Sequence, residues 1–224
     1  MRVVVSAEPP AASCIWVLAG TNGAGKSSIA GAMLRESGGD YFNPDEVARA
    51  LRERDPALSA GQSNAAAWTL GVRQLDRAIR AGEDYFFETT LGGNTVPARL
   101  RQALEAGHEV RVWYVALASP ELHIARVAAR VKSGGHDIPE ESIRRRYDDS
   151  RRNLVALLPR LTELQVYDNS HEAPPEQGEA PRPELVLHWR DGACIGPDDL
   201  RATPTWARPI VAQALKLAQA ERQR

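Results

Sequence analysis

The stretch Cys14-Ile15-Trp16-Val17-Leu18-Ala19-Gly20-Thr21-Asn22-Gly23-Ala24-Gly25-Lys26-Ser27-Ser28 decides the fold. It opens with an apolar run, Ile15 to Ala19, of strand length. G-x-x-x-x-G-K-S follows from Gly20 to Ser27, and beyond it Ile29, Ala30, Met33 and Leu34 are spaced like the buried stripe of a helix. Strand, loop and helix in this order are the setting of a phosphate-binding P-loop. Glycines let successive backbone N–H groups turn toward an anion without Cβ clashes. The helix start adds free N–H groups and the positive end of its dipole. Lys26 is placed to put a point charge on the β- and γ-phosphates, and the Ser27 hydroxyl to hold Mg²⁺. The nucleotide-binding set is therefore Gly20, Asn22, Gly23, Ala24, Gly25, Lys26, Ser27 and Ser28. Lys26 is expected to face solvent at the loop.

Around this motif the composition sets bounds. With 224 residues the chain suits one domain, 1–224, with a sizeable core. Its 28 basic residues against 29 acidic ones argue against general affinity for nucleic acid or membrane surfaces. Two cysteines, Cys14 and Cys194, make neither a disulfide framework nor a metal spacing. No apolar stretch reaches membrane-spanning length and the N-terminus does not read as a signal peptide, so the expectation is a reduced, soluble, cytoplasmic protein.

Outward from the P-loop the chain alternates. Residues 1–13 read as a frayed lead and 37–40 as a turn. Tyr41 to Asp45 is a brief strand end, and Pro44 suits the first turn of a helix running to Arg54. Trp68, Val72, Leu75 and Ile79 recur at helical spacing within an amphipathic helix from Ser63 to Arg80. Tyr85-Phe86-Phe87 and Val110 to Ala118 are strands, and Val96 to Glu105, Pro120 to Val131 and Pro139 to Leu158 are helices. Gln165 to Asp168 is a further short strand. Proline-rich residues 171–184 form a surface loop, Asp191-Gly192 turns a hairpin, and 205–224 is a final helix with Ile210, Ala214 and Leu217 on one face. Strands alternating with helices imply an α/β fold of three layers, a central, mostly parallel sheet with helices on both faces.

In such a sheet ligands sit beyond the carboxyl ends of the strands, so the polar residues there carry the chemistry. Asp45 follows the second strand, and Glu88, Thr89 and Thr90 follow the third. One carboxylate can take the proton of a substrate hydroxyl while another holds substrate or a metal-bound water. Asp45 equally fits a helix cap or first-turn residue. Glu88, directly after Tyr-Phe-Phe, lies against the core and needs a metal, a lysine or a substrate as partner. Arg126 and Arg130 share a helix face ahead of Ser133-Gly134-Gly135-His136-Asp137, a segment suited to a lid over a transferring phosphoryl group. The tryptophans Trp16, Trp68 and Trp113 read as core.

The pieces LAGTNGAGKSS, FNPDE, FFETTLGG, ARVAARVKSGGHDIP with RRRY, and VYDNS stand in one order from Leu18 to Ser170. In them the chain resembles the short bacterial zeta-toxin family of P-loop kinases. That resemblance implies a P-loop kinase fold with a helical lid and an ATP- and Mg²⁺-dependent kinase acting on a hydroxyl of a sugar nucleotide such as UDP-N-acetylglucosamine. It makes Asp45 the general base, Lys26 and Ser27 the phosphate and magnesium residues, and Glu88 with Thr89 the substrate holders. Arg126 becomes a charge-stabilising arginine, and Arg130 and Arg144 compete for a second such role. It also brings an antitoxin protein among the possible partners. Two other readings remain open: a kinase for another hydroxyl acceptor, such as an antibiotic or a sugar acid, and a nucleotide-driven regulatory ATPase or binding module.

Overall fold

The structure, a computed structural model, describes residues 12–27, 29–31, 41–133, 135–171 and 183–223. The readings of the N-terminal lead up to residue 11, of Ser28, of the P-loop helix beyond residue 31, of the turn at 37–40 and of most of the 171–184 loop lie outside these residues.

Among the described residues, one seven-stranded sheet organises the chain. In sequence the strands are β1 (Cys14–Ala19), β2 (Tyr41–Phe42), β3 (Tyr85–Thr89), β4 (Glu109–Ala116), β5 (Glu163–Asp168), β6 (Glu184–Arg190) and β7 (Ala193–Gly196). In space they run β2-β3-β1-β4-β5-β6-β7; the first five are mutually parallel, and the β5–β6 and β6–β7 pairings are antiparallel. β1 reads as an unbroken apolar run because both its faces are covered. Ile15, Val17 and Ala19 join the larger core with Leu75, Leu100, Tyr114 and Leu154, while Cys14, Trp16 and Leu18 join a second core with Phe86 and Trp113. Each fully buried leucine in these layers contributes ~1.5–3 kcal/mol of hydrophobic stabilisation.

The helices are α1 (Pro44–Arg54), α2 (Ala60–Ala81), α3 (Thr95–Glu105), α4 (Pro120–Lys132), α5 (Glu140–Leu157) and α6 (Arg208–Arg222). Their starts follow local chemistry. The Asn43 side chain caps α1, the Ser59 and Gln62 side chains form a reciprocal capping box that starts α2 three residues before the expected Ser63, and Ser119 caps α4 ahead of Pro120. Gly82 closes α2 in the left-handed conformation. The last helix buries Ile210 and Ala214, and Trp206 just before it donates through its indole N–H to Asp168.

The parallel register brings strand ends together. Leu18 pairs with Glu88 and Ala19 with Thr89, so β1 and β3 finish side by side. The chain then breaks away at Gly20, whose N–H donates to the Thr89 carbonyl (3.2 Å) at φ 147°. A Cβ at Gly20 would lie 2.1 Å from the Val115 carbonyl oxygen, which is backbone and cannot move aside. Gly20→Ala is therefore expected to destabilise the fold by ~3 kcal/mol or more, a fall in Tm of roughly 6–12 °C. Thermal melting checks this; a Tm within two or so degrees of the parent's means that the sheet yields at that point.

Candidate nucleotide and acceptor site

The P-loop is tied down on every side. The Lys26 ammonium donates to the Gly20 carbonyl (2.8 Å) and lies 3.3 Å from a Glu88 carboxylate oxygen. Its side chain is only 8% exposed, so the solvent-facing lysine expected from sequence is instead buried, and a buried charge requires this partner. The other Glu88 oxygen accepts from the Tyr41 hydroxyl. Burial, then the Glu88 charge, pushes the Tyr41 phenol well above its ordinary range, so it remains a donor. Asn22 is held twice: its backbone carbonyl accepts from His123 Nδ1 (2.9 Å) and its side-chain oxygen from Arg146 (2.8 Å). The Asn169 amide donates to the Ala24 carbonyl (2.9 Å), and Arg126 donates to the Asn169 carbonyl (2.7 Å).

A cavity of about 460 Å³ opens beside this loop. Its polar end is formed by Lys26, Glu88, Thr89, Thr90, Asp45 and Arg146. Its apolar lining comes from Phe42, Trp68, Val72, Leu75 and Val96, and His136 to Pro139 border it from the connection between α4 and α5. Thr89 and Thr90 are fixed in a turn whose Leu91 sits at φ 55°, a strained value for leucine. The turn is held by the Thr89 and Thr90 hydroxyls, which accept from Leu91 and Gly92 N–H, and by Asn153, which donates to the carbonyls of Leu91 and Gly93.

Of the residues read from sequence, Asn22, Lys26, Asp45, Glu88, Thr89 and Thr90 line this one cavity. Asp45 does not cap its helix; the Asn43 oxygen takes both the Asp45 and Glu46 N–H groups. That leaves the Asp45 carboxylate half exposed and aimed at the cavity, 3.9 Å from Arg130. Arg130 also donates to the His136 carbonyl. Ser27 is exposed at the first turn of its helix.

Arg144 is not brought to the cavity. Its guanidinium is taken by Glu121 (2.6 Å) and Glu140 (2.7 Å) on the outer surface. Arg146 is there instead. Burial, then the neighbouring Arg145 charge, pulls its guanidinium below its ordinary range, and Asp45 acts the other way. The helical wheel of α5 carries the signal: Ile143, Tyr147, Leu154 and Leu157 are buried, and at 3.6 residues per turn Arg146 flanks that stripe while Arg144 and Arg145 turn away. Trp68 is the other departure. It lies on the expected helical stripe but is 51% exposed, because it stands at the cavity wall rather than in the core.

The profile of the zeta-toxin family matches residues 5–174. The chain belongs to the zeta-toxin family. An uncharacterised protein of Haemophilus influenzae is 32% identical over 128 residues, which are 57% of this chain and 88% of that protein. Among solved structures, AvrRxo1-ORF1 in complex with AvrRxo1-ORF2 and sulphate ions superposes with a TM-score of 0.61 at 16% identity, over 81% of this chain and 60% of that one. The same pair with ATP gives 0.59 at 16%, over 79% and 58%. This chain thus spans less than two-thirds of either matched chain. The PezAT toxin–antitoxin system of Streptococcus pneumoniae superposes with 0.55 at 14%, over 98% of this chain and 90% of that one. At these identities the structural likeness shows the fold, an α/β sheet with the P-loop kinase arrangement.

His123, fully buried behind the loop, offers a test of this geometry. Desolvation, opposed by the bond to Asn22 and assisted by the Lys26, Arg126 and Arg151 charges, lowers its pKa from 6.5 to about 4. The unfolded chain therefore takes up a proton near pH 6.5 that the folded chain refuses until about pH 4. Stability should fall as the pH drops through that window, by up to ~3 kcal/mol from this group. Denaturant titrations of the parent and His123→Leu across the window check this; parallel curves for the two proteins remove His123 as the cause.

Proposed function

We propose that the protein is an ATP-dependent phosphotransferase that moves the γ-phosphoryl group of ATP to a hydroxyl of a small molecule, with a UDP-activated amino sugar as the acceptor. The observation that carries this reading is the single cavity shared by a P-loop lysine, the Asp45 and Glu88 carboxylates and an apolar lining. A nucleotide-driven switch has no use for an acceptor-sized chamber beside the γ-phosphate position.

The P-loop N–H groups and Lys26 hold the phosphates. Mg²⁺, when bound, neutralises charge on the β- and γ-phosphates. The exposed Ser27 hydroxyl is a hard oxygen donor that would suit it. Asp45 orients the acceptor hydroxyl and takes its proton as the new O–P bond forms and the bond to the bridging oxygen of ADP breaks. Arg130 and Arg146, approaching from two helices, meet the charge on the transferring group. Arg126, bonded beside Gly25, serves the nucleotide side. Glu88, Thr89 and Thr90 face the acceptor. The same reading includes a protein antitoxin as partner.

The decisive experiment incubates purified protein with ATP, Mg²⁺ and a panel of UDP-sugars and weighs the products. A product heavier by one phosphoryl group is expected; ADP and inorganic phosphate alone would favour the ATPase reading. Asp45→Asn should keep ATP affinity near the parent's and lower turnover by ~10²–10⁴. Near-normal turnover would remove Asp45 from the mechanism.

The apolar lining of the cavity makes a separate prediction. A half-exposed indole beside Asn64 is a stacking platform for a flat ring on the acceptor. Trp68→Ala should raise the acceptor KM roughly 5- to 100-fold, the range that one stacked base is worth, and leave the ATP KM in place. An unchanged acceptor KM assigns Trp68 to the surface alone.

A further inference from the structure

His123 is the one imidazole in contact with the P-loop among the described residues, and nothing in the phosphoryl-transfer chemistry calls for it. It is fully buried. Its Nε2 accepts the Leu117 N–H (3.3 Å), which fixes the proton on Nδ1, and Nδ1–H donates to the Asn22 carbonyl (2.9 Å). The Tyr147 ring meets it edge-on at 5.5 Å, and the Tyr147 hydroxyl donates to the Leu117 and Ala118 carbonyls, so the far side of the imidazole is itself fixed. The loop lies flat on this helix: a Cβ at Gly23 would stand 2.6 Å from the His123 carbonyl oxygen.

The spacing along α4 gives the contact its meaning. His123, Arg126 and Arg130 stand at i, i+3 and i+7, on one helix face. The histidine meets Asn22, Arg126 reaches the Asn169 carbonyl beside Gly25, and Arg130 reaches Asp45. One face of one helix thus follows the loop from its first turn to the acceptor side.

We propose that His123 is a positioning residue that sets the register of the arginine-bearing helix against the P-loop by bridging the Leu117 N–H and the Asn22 carbonyl through a single tautomer. This rests on the nucleotide-binding reading of the loop. A neutral imidazole suits the task because its two nitrogens lie on opposite edges of a rigid ring, one donor and one acceptor. A protonated ring would present a second N–H to the Leu117 N–H and add a charge beside Lys26, Arg126 and Arg151.

The side-chain series separates this role from packing. Asparagine places an amide nitrogen where Nδ1 stands and keeps the donation to Asn22. Glutamine reaches the Nε2 position and keeps the tie to Leu117. Leucine keeps bulk and loses both. Calorimetric titration with ATP and steady-state turnover are measured on the parent, His123→Asn, His123→Gln, His123→Leu and, as a control, Lys26→Ala, with melting curves for each. The expected order places Asn closest to the parent, within about threefold in ATP Kd, and Gln and Leu weaker by roughly tenfold or more, the worth of leaving the Asn22 carbonyl unpaired. A packing role gives the reverse order, with Leu above Asn, and overturns the proposal, as does Leu binding ATP like the parent.

Two further results keep the tests apart. If ATP binding by the parent does not depend on Lys26, the nucleotide reading fails. The nitrogen NMR spectrum of the parent's imidazole, which needs no variant to fold, decides the bridge by itself: a proton on Nδ1 and a bare Nε2 are expected, and the opposite tautomer, or a doubly protonated ring at neutral pH, sinks the proposal.

Discussion

A buried ammonium group sets the terms for this molecule. Lys26 is nearly closed off from water, and an unpaired charge there would cost several kcal/mol. Its carboxylate partner comes from Glu88 at the end of β3, and Glu88 is in turn fixed by the Tyr41 hydroxyl from β2. The ends of β1, β3 and the edge strand β2 are therefore linked through one charge pair and one hydrogen bond. The order β2-β3-β1 is what puts these residues within reach, since the parallel register aligns Leu18 with Glu88 and Tyr41 with Phe86. Removing Glu88 would leave the lysine without its counter-charge, and removing the lysine would leave a carboxylate against the aromatic pair Phe86 and Phe87.

What the sequence made legible follows from how local each signal is. β1 could be read because a two-sided burial demands an unbroken apolar run, and the P-loop because its glycines are fixed by backbone geometry. The need of Glu88 for a partner was legible from its place after Tyr-Phe-Phe; that the partner is Lys26 depends on strand order. Arg144 and Arg146 show the limit. Both sit in one basic run, and only the rotation of α5 about its buried stripe sends Arg146 inward while Glu121 and Glu140 hold Arg144 outside. Trp68 obeys the same helical period as Val72 and Leu75, but the period does not say whether the facing space is filled by protein or left open. His123 carries no motif at all, for its partners are backbone groups, the Asn22 carbonyl far off in sequence and the Leu117 N–H just past β4.

The arginines of the site share a further property. Arg126 rests on the Asn169 carbonyl, Arg130 on the His136 carbonyl, and Arg146 on the Asn22 side-chain oxygen. The closest partner of each is a neutral oxygen, whereas Arg144, on the outer surface, is committed to two carboxylates. A guanidinium on a carbonyl keeps unused donors and a nearly undiminished charge, so an arriving phosphate meets it without first displacing a counter-ion. The Asp45 carboxylate stays 3.9 Å from Arg130, beyond a normal hydrogen bond. In the proposed reaction that looseness would serve both groups: were Asp45 the base, a tight ion pair would make it accept a proton poorly, and an arginine locked to it would be spent before the phosphoryl group arrived.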